Sequence, residues 1–247
     1  MVERSRTPRK RIKKPAKIIE LGNRPKFTCE FCENSFSRQK TLLFHLCEQK
    51  RRFQQKDELY ARYGFYAFSM LQKNCLRTLP CTEKEFRTSE VYLALVKWGH
   101  FIQNIQCLDF KKYLQWLVGL KVPVDKWDKD EIYDCWIQAY VFQENVWASF
   151  QRSLETMTNW GEESNSPMEE YFLRAGNARI LTDVQRGRIT GWIIFLSETG
   201  KKWLQNLPNG DMKLVWNWIN PERWKLELEK YPLEVKEIQL ALEKEKI

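Results

Sequence analysis

FTCEFCENSFSRQKTLLFHLCEQKRR, residues 27–52, holds three of the chain's seven cysteines and one of its two histidines. Cys29 and Cys32 are separated by two residues, so a tight knuckle brings both thiols to one point, and His45 can meet them from a following helix. Phe36 and Leu42 supply a small apolar core. So short a unit has too little apolar area to fold alone, and a bound metal would supply the missing free energy. The stretch also divides a basic leader from a long tryptophan-rich remainder, in which all eleven tryptophans lie from Trp98 onward.

The spacing Phe27-x-Cys29-x2-Cys32-x3-Phe36-x5-Leu42-x2-His45 resembles the two-Cys, two-His zinc finger up to its first histidine, over about one tenth of the chain. The resemblance implies a ββα unit around a structural Zn2+ ligated by Cys29, Cys32 and His45. The family's fourth ligand would fall at Gln49, Lys50 or Arg51, and none of these is a normal zinc ligand. Cys47 is the preferred fourth ligand, but residues i and i+2 lie about 160° apart around a regular helix. It reaches the metal only if the helix unwinds or ends at Leu46. Cys75, Cys81 or a water completing a three-ligand site are the alternatives. The positions that face bases in the family fall on Arg38, Thr41 and Phe44. Arg38 suits a guanine edge, whereas Phe44, with Leu43 and Leu46 beside it, cannot hydrogen-bond one. Such an apolar helix fits a finger packed on its own body or on a partner protein.

Charge is segregated along the chain. Residues 1–52 carry 15 Lys and Arg against 5 Asp and Glu, leaving 26 basic against 27 acidic residues for all that follows. Residues 1–25 have Pro8, Pro15 and Pro25 across any helix and clustered like charges, and are expected to be a disordered arm. The expected partner is nucleic acid, with DNA the first expectation, contacted largely without sequence preference. The expected phosphate contacts are Arg4, Arg6, Arg9, Lys10, Arg11, Lys13, Lys14 and Lys17 in the arm. In the finger they are Arg38, Lys40, Lys50, Arg51 and Arg52. No apolar run spans a bilayer and no signal sequence is evident, so a membrane partner is not expected and the expected location is the cytoplasm.

Residues 53–247 read as a helical domain following an arm (1–25) and a finger (26–52), and the fold class is mainly α. The absence of Gly or Pro between His45 and Tyr63 suggests a finger docked on the body. Leu59, Tyr63, Tyr66 and Met70 form an apolar stripe at helical spacing. Thr82 with Glu85 reads as a capping box, Ser89 as the start of the next helix, Asp109 and Asp128 as N-caps and Gly176 as a stop. Ile132, Cys135, Trp136, Ala139 and Tyr140 share one face, and Leu233, Ile238 and Leu242 another. KLVWNWI (213–219) is the single candidate for an extra strand. Cys75, Cys81, Cys107 and Cys135 are expected as buried thiols and His100 as a partly buried core residue. Trp192, Ile193, Ile194 and Phe195 are too apolar for a recognition helix and are expected in the core.

Catalytic motifs are not evident, and a non-enzymatic role is expected. The cluster Asp128, Asp130, Glu131 and Asp134 would suit the cation of a metal-dependent nuclease, but its position at a helix start favours capping and a solvated face. The order of parts, with His45-Leu46-Cys47 and Lys50-Arg51-Arg52 closing the finger and GRITGWIIFLSETG in the body, resembles uncharacterised proteins of large contractile-tailed bacteriophages. That resemblance implies a place in the cytoplasm of an infected bacterium. The leading expectation is a DNA-associated accessory protein whose body binds a component of a replication, transcription, packaging or virion assembly. A virion-associated structural protein stapled by the finger is the alternative.

Overall fold

Phe27–Thr28 and Ser35–Phe36 pair as antiparallel strands β1 and β2, with Phe27 opposite Phe36 and Thr28 opposite Ser35. The turn between them closes through Cys29 N–H to the Asn34 carbonyl (2.9 Å) and Glu33 N–H to the Cys29 carbonyl (2.8 Å), with Glu33 left-handed (φ 61°). Helices α1 (Gln39–Phe44) and α2 (Glu48–Gln54) complete this unit. The computed structural model describes residues 27–74, 80–245 and 247, and contacts divide the chain after Gln54 into the finger and a helical unit.

The helical unit runs α3 (Leu59–Asn74), α4 (Glu83–Thr88), α5 (Tyr92–Asn104), α6 (Phe110–Gly119), α7 (Asp130–Tyr140) and α8 (Val146–Ser164). It continues with α9 (Tyr171–Arg174), α10 (Asn177–Gln185), α11 (Gly191–Leu196), α12 (Glu198–Gln205), α13 (Asn209–Ile219), α14 (Pro221–Lys230) and α15 (Pro232–Glu245). Among the described residues the only sheet is the two-stranded one, so the fold is mainly α, a small finger followed by a helical domain.

Helix ends follow local chemistry. Thr82 and Glu85 make a reciprocal capping box: the Glu85 N–H donates to Thr82 Oγ1 (3.2 Å) and the Thr82 N–H to Glu85 Oε2 (2.8 Å). Asp109 Oδ1 accepts from the N–H groups of Lys111 and Lys112. Gly176, at φ 78°, follows α9 and releases the chain into α10. Ser89 differs from expectation. Its hydroxyl donates to the Phe86 carbonyl (2.7 Å), closing α4 instead of opening α5. Asp128 caps nothing either; Lys129 occupies the N-cap of α7, and Asp128 pairs with Lys97 (2.8 Å).

Helix α3 packs closely on α5, and a Cβ on Gly64 would lie 3.1 Å from the Leu95 carbonyl oxygen. Ala61, Gly64 and Ala67 are buried with Phe68, while Leu59 and Tyr66 of the expected stripe are exposed. A Cβ on Gly99 would lie 2.1 Å from the Tyr60 carbonyl oxygen, so backbone meets backbone there. On α7 the buried face is Tyr133, Trp136 and Ile137, shifted from the expected one, because Tyr133 packs edge-on against Tyr113 (5.3 Å). KLVWNWI is helix α13 and not a strand. Val215, Trp218 and Ile219 are buried while Leu214 and Trp216 are exposed, the 3.6-residue period and not an alternation. Leu233 of α15 is exposed, and Ile238 and Leu242 carry that helix into the core.

Trp192, Ile193 and Ile194 of α11 are buried, as expected for core. A Cβ on Gly191 would meet the Trp224 ring at 2.2 Å, so that glycine makes room for the indole. Many polar groups inside are matched, although the indole N–H groups of Trp98 and Trp218 and the Thr199 hydroxyl are buried without a hydrogen-bond partner among the described residues. Trp224 Nε1 donates to the Trp218 carbonyl (2.6 Å) and Trp127 Nε1 to the Val122 carbonyl (2.8 Å). Asp183 is fully buried, accepting from Tyr171 Oη (2.8 Å), Arg179 Nε (2.9 Å) and Arg188 Nη1 (3.1 Å), while Arg188 Nη2 reaches the Ile105 carbonyl. A buried charge needs such partners.

Candidate metal centre and basic finger surface

The finger places four donor atoms together. Cys29 and Cys32 come from the knuckle after β1, and His45 and Cys47 from the segment between α1 and α2. One ligand atom from each lies within 4.8 Å of the others. Cys29 Sγ is 4.0 Å from Cys47 Sγ, and Cys32 Sγ is 3.2 Å from His45 Nε2. Edges of this length surround a tetrahedral ion with metal–sulfur bonds near 2.3 Å and metal–nitrogen bonds near 2.0 Å. The Cys3His set can hold a metal ion and forms a zinc-finger-like site.

Cys47 joins because the helix stops early. α1 is six residues long and ends at Phe44; His45 is extended (φ −71°, ψ 118°), its N–H returning to the Leu42 carbonyl. The chain then re-enters helix at Glu48, and the Lys50 N–H donates to Cys47 Sγ (3.4 Å). Cys81 takes no part in the cluster, and Cys75 lies outside the described residues. The Phe36 ring sits 4.6 Å from the His45 ring, and Phe31 packs on Phe53 at 5.1 Å, fastening the knuckle to α2. The Phe31–Phe53 contact was not evident from spacing, since it spans the two halves of the unit.

The thiols differ in proton affinity. Desolvation opposes ionisation of Cys29, but the N–H groups of Cys32 and Phe31 and the neighbouring thiols outweigh it and hold its pKa below the ordinary thiol value. At Cys32 an N–H from Asn34 favours the thiolate, yet desolvation and the Cys29 and Cys47 sulfurs prevail and raise the pKa. Three sulfurs so close resist shared ionisation, and a divalent cation removes the conflict.

Of the expected phosphate contacts, Arg38, Lys40 and Arg51 are exposed and Lys50 is half-buried. Among the described residues no carboxylate pairs with these four. Arg52 is paired with Glu48 one turn earlier. Arg4, Arg6, Arg9, Lys10, Arg11, Lys13, Lys14 and Lys17 lie outside the described residues. Thr41 is exposed, and so are Leu43, Phe44 and Leu46, Phe44 at 78%.

The acidic cluster of α7 is engaged within the helical unit. Asp128 pairs with Lys97 and Lys129, and Arg186 pairs with both Asp130 and Asp134. Desolvation raises the Asp134 pKa, with Arg186 opposing. Arg186 lies 56 residues from Asp130, which is why the pairing was invisible in sequence. His100 is exposed and stacks on Tyr60 at 3.7 Å, where a partly buried position was expected. Cys135 is exposed too, while Cys81 and Cys107 are half-buried. Among the described residues the Cys3His set is the one group of three or more such side chains placed to share a metal ion, and no helix is long and apolar enough to cross a membrane. Compared with known protein families, curated proteins and solved structures, the chain matches none.

Proposed function

We propose that the protein is a non-enzymatic, DNA-associated accessory protein, in which a zinc-stapled finger and the basic residues before it hold phosphate backbone. The metal is Zn2+: three thiolates and an imidazole at tetrahedral spacing are its preferred donors. Its role is structural, since four protein ligands leave no open position for a substrate. The helical body serves a protein partner within a replication, transcription, packaging or virion assembly. The phage-like order of parts puts that assembly in the cytoplasm of an infected bacterium.

One observation carries this reading. In the helical unit Arg152, Arg174, Arg179, Arg186 and Arg188 are each paired with a carboxylate, though Arg62 and Arg223 are not, whereas among the described residues none of Arg38, Lys40, Lys50 and Arg51 of the finger is so paired. The finger cations follow a segment whose own charge is strongly positive, so positive charge is continuous in sequence. Phosphates are the polyanion such charge attracts, with release of condensed counterions as the driving force.

The test is fluorescence anisotropy of the full chain with a 30-base-pair duplex. Six or more phosphate contacts would weaken binding by about 10³-fold between 50 and 200 mM salt. Deleting residues 1–25 should abolish most of the affinity, and alanine at Arg38, Lys40, Lys50 and Arg51 should flatten the salt dependence. Binding that ignores salt, or no binding at all, overturns the reading.

A further inference from the structure

The finger bears an apolar surface that phosphate binding does not use. Leu43, Phe44 and Leu46 are 69, 78 and 54% exposed, three large apolar side chains within four residues. Beside them is a groove of about 240 Å³ between the knuckle and α1, lined by Phe31, Leu42, Leu43 and Lys50 together with Thr28 and the metal-site residues Cys29 and His45. Lys40 lies one helical turn before Leu43 and Phe44 on α1, on the same face. Lys50 lines the groove and Arg51 follows it, and neither is paired with a carboxylate among the described residues. Glu30 also lines the groove.

We infer that this surface is a docking site for a protein partner, which presents a short acidic segment with a large apolar side chain. The apolar side chain enters the groove against Phe31, Leu42 and Leu43, and flanking carboxylates meet Lys40, Lys50 and Arg51. A pocket that takes one anchor, rimmed by charge, is the usual form of an interface hot spot. Nucleic acid fits less well. Phe44 stands where a base-reading side chain would stand and offers no hydrogen bond. The cations select the sign of the partner and the apolar ridge provides most of the contact. This goes beyond phosphate binding and can succeed or fail without it.

The experiment pans a random 12-residue peptide display library on the full-length, zinc-loaded protein. The comparison is with F44S/L43S and with K40E/K50E, after all three show equal zinc content and far-UV circular dichroism. The expected result is enrichment of peptides that combine Asp or Glu with Phe, Leu or Trp. Their affinity should fall at least tenfold on F44S/L43S, and K40E/K50E should no longer select for acidic residues. A 30-base-pair duplex is then titrated into isotopically labelled protein. Enriched peptides without acidic residues, no enrichment over F44S/L43S, or duplex-induced shifts centred on Leu43 and Phe44 overturn the inference. The last outcome would make the ridge a wedge in nucleic acid. Because F44S/L43S leaves every finger cation in place, its salt-dependent duplex binding should persist, which separates this inference from the phosphate reading.

Discussion

Cys47 reaches the other three donors because the chain stops being helical at His45. Had α1 continued, Cys47 would have pointed to the far side of the helix from His45. The extended His45 and the N–H of Lys50 set the Cys47 sulfur toward Cys29 instead. Cys47→Ser should therefore remove one of four ligands and forfeit several of the ~10–16 kcal/mol that a structural zinc contributes. Gln49→Ala, at a position where the two-Cys, two-His family carries a histidine, should leave zinc content unchanged. Zinc stoichiometry by elemental analysis, and competition with a chromophoric chelator, separate the two. Equal zinc loss from both variants would remove Cys47 from the site. The knuckle and His45 were legible in sequence because their spacing is set by the metal's size. The helix break was not, because no Pro or Gly marks it; only the thiol two residues after the histidine hinted at it.

Gly99 shows how an element contact can depend on an absent side chain. The α3–α5 crossing brings the Tyr60 carbonyl oxygen to 2.1 Å from where a Gly99 Cβ would be, and backbone cannot yield as a flexible side chain can. Gly99→Ala should separate the helices and cost about 1–3 kcal/mol by overpacking, or more if no shift accommodates it. Gly119→Ala is the control, since its Cβ would meet nothing within 4 Å. Urea denaturation midpoints with unchanged slope would report the difference, and equal midpoints would refute the close crossing. This crossing also explains where reading the sequence went astray. The large stripe Leu59, Tyr63, Tyr66 and Met70 was the conspicuous signal on α3, and Tyr63 and Met70 do pack against the core, but Leu59 and Tyr66 are exposed and Gly64 makes the close approach to Leu95 of α5. Hydrophobic periodicity weighs side-chain size, whereas close helix packing selects small residues. In KLVWNWI the two tryptophans two residues apart suggested alternation, yet Trp216 is exposed and Trp218 buried. Capping signals did better, as at Thr82 and Asp109, because a cap is decided within four residues. Asp128 failed because Lys97, distant in sequence, holds its carboxylate.

The two units would draw their stability from different sources, the proposed metal ligation in the finger and aromatic burial in the helical unit, and pH would act on them differently. In the helical unit burial raises the Cys107 thiol to about 12 and raises Tyr113, Tyr133 and Tyr171 above the ordinary phenol value. In the unfolded chain these groups ionise near 9 for the thiol and 10 for the phenols. Between about pH 9 and 12 the unfolded chain therefore binds fewer protons than the folded one, and stability falls as pH rises. The stabilisation is fully present below pH 9 and is lost through the folded value. Metal ligation has the opposite sign, because protons compete with the metal for thiolate and imidazole, so the finger weakens as pH falls. Urea unfolding of the full chain at pH 8, 9, 10 and 11 should show the tryptophan-reported midpoint decreasing steadily, since every tryptophan lies in the helical unit. Cys107→Ala should make that decrease shallower. At pH 7.5, chelator should abolish the amide dispersion of residues 27–54 while the tryptophan-reported midpoint stays where it was. A midpoint that moved with chelator, or one flat from pH 8 to 11, would show that the two sources of stability are not separate.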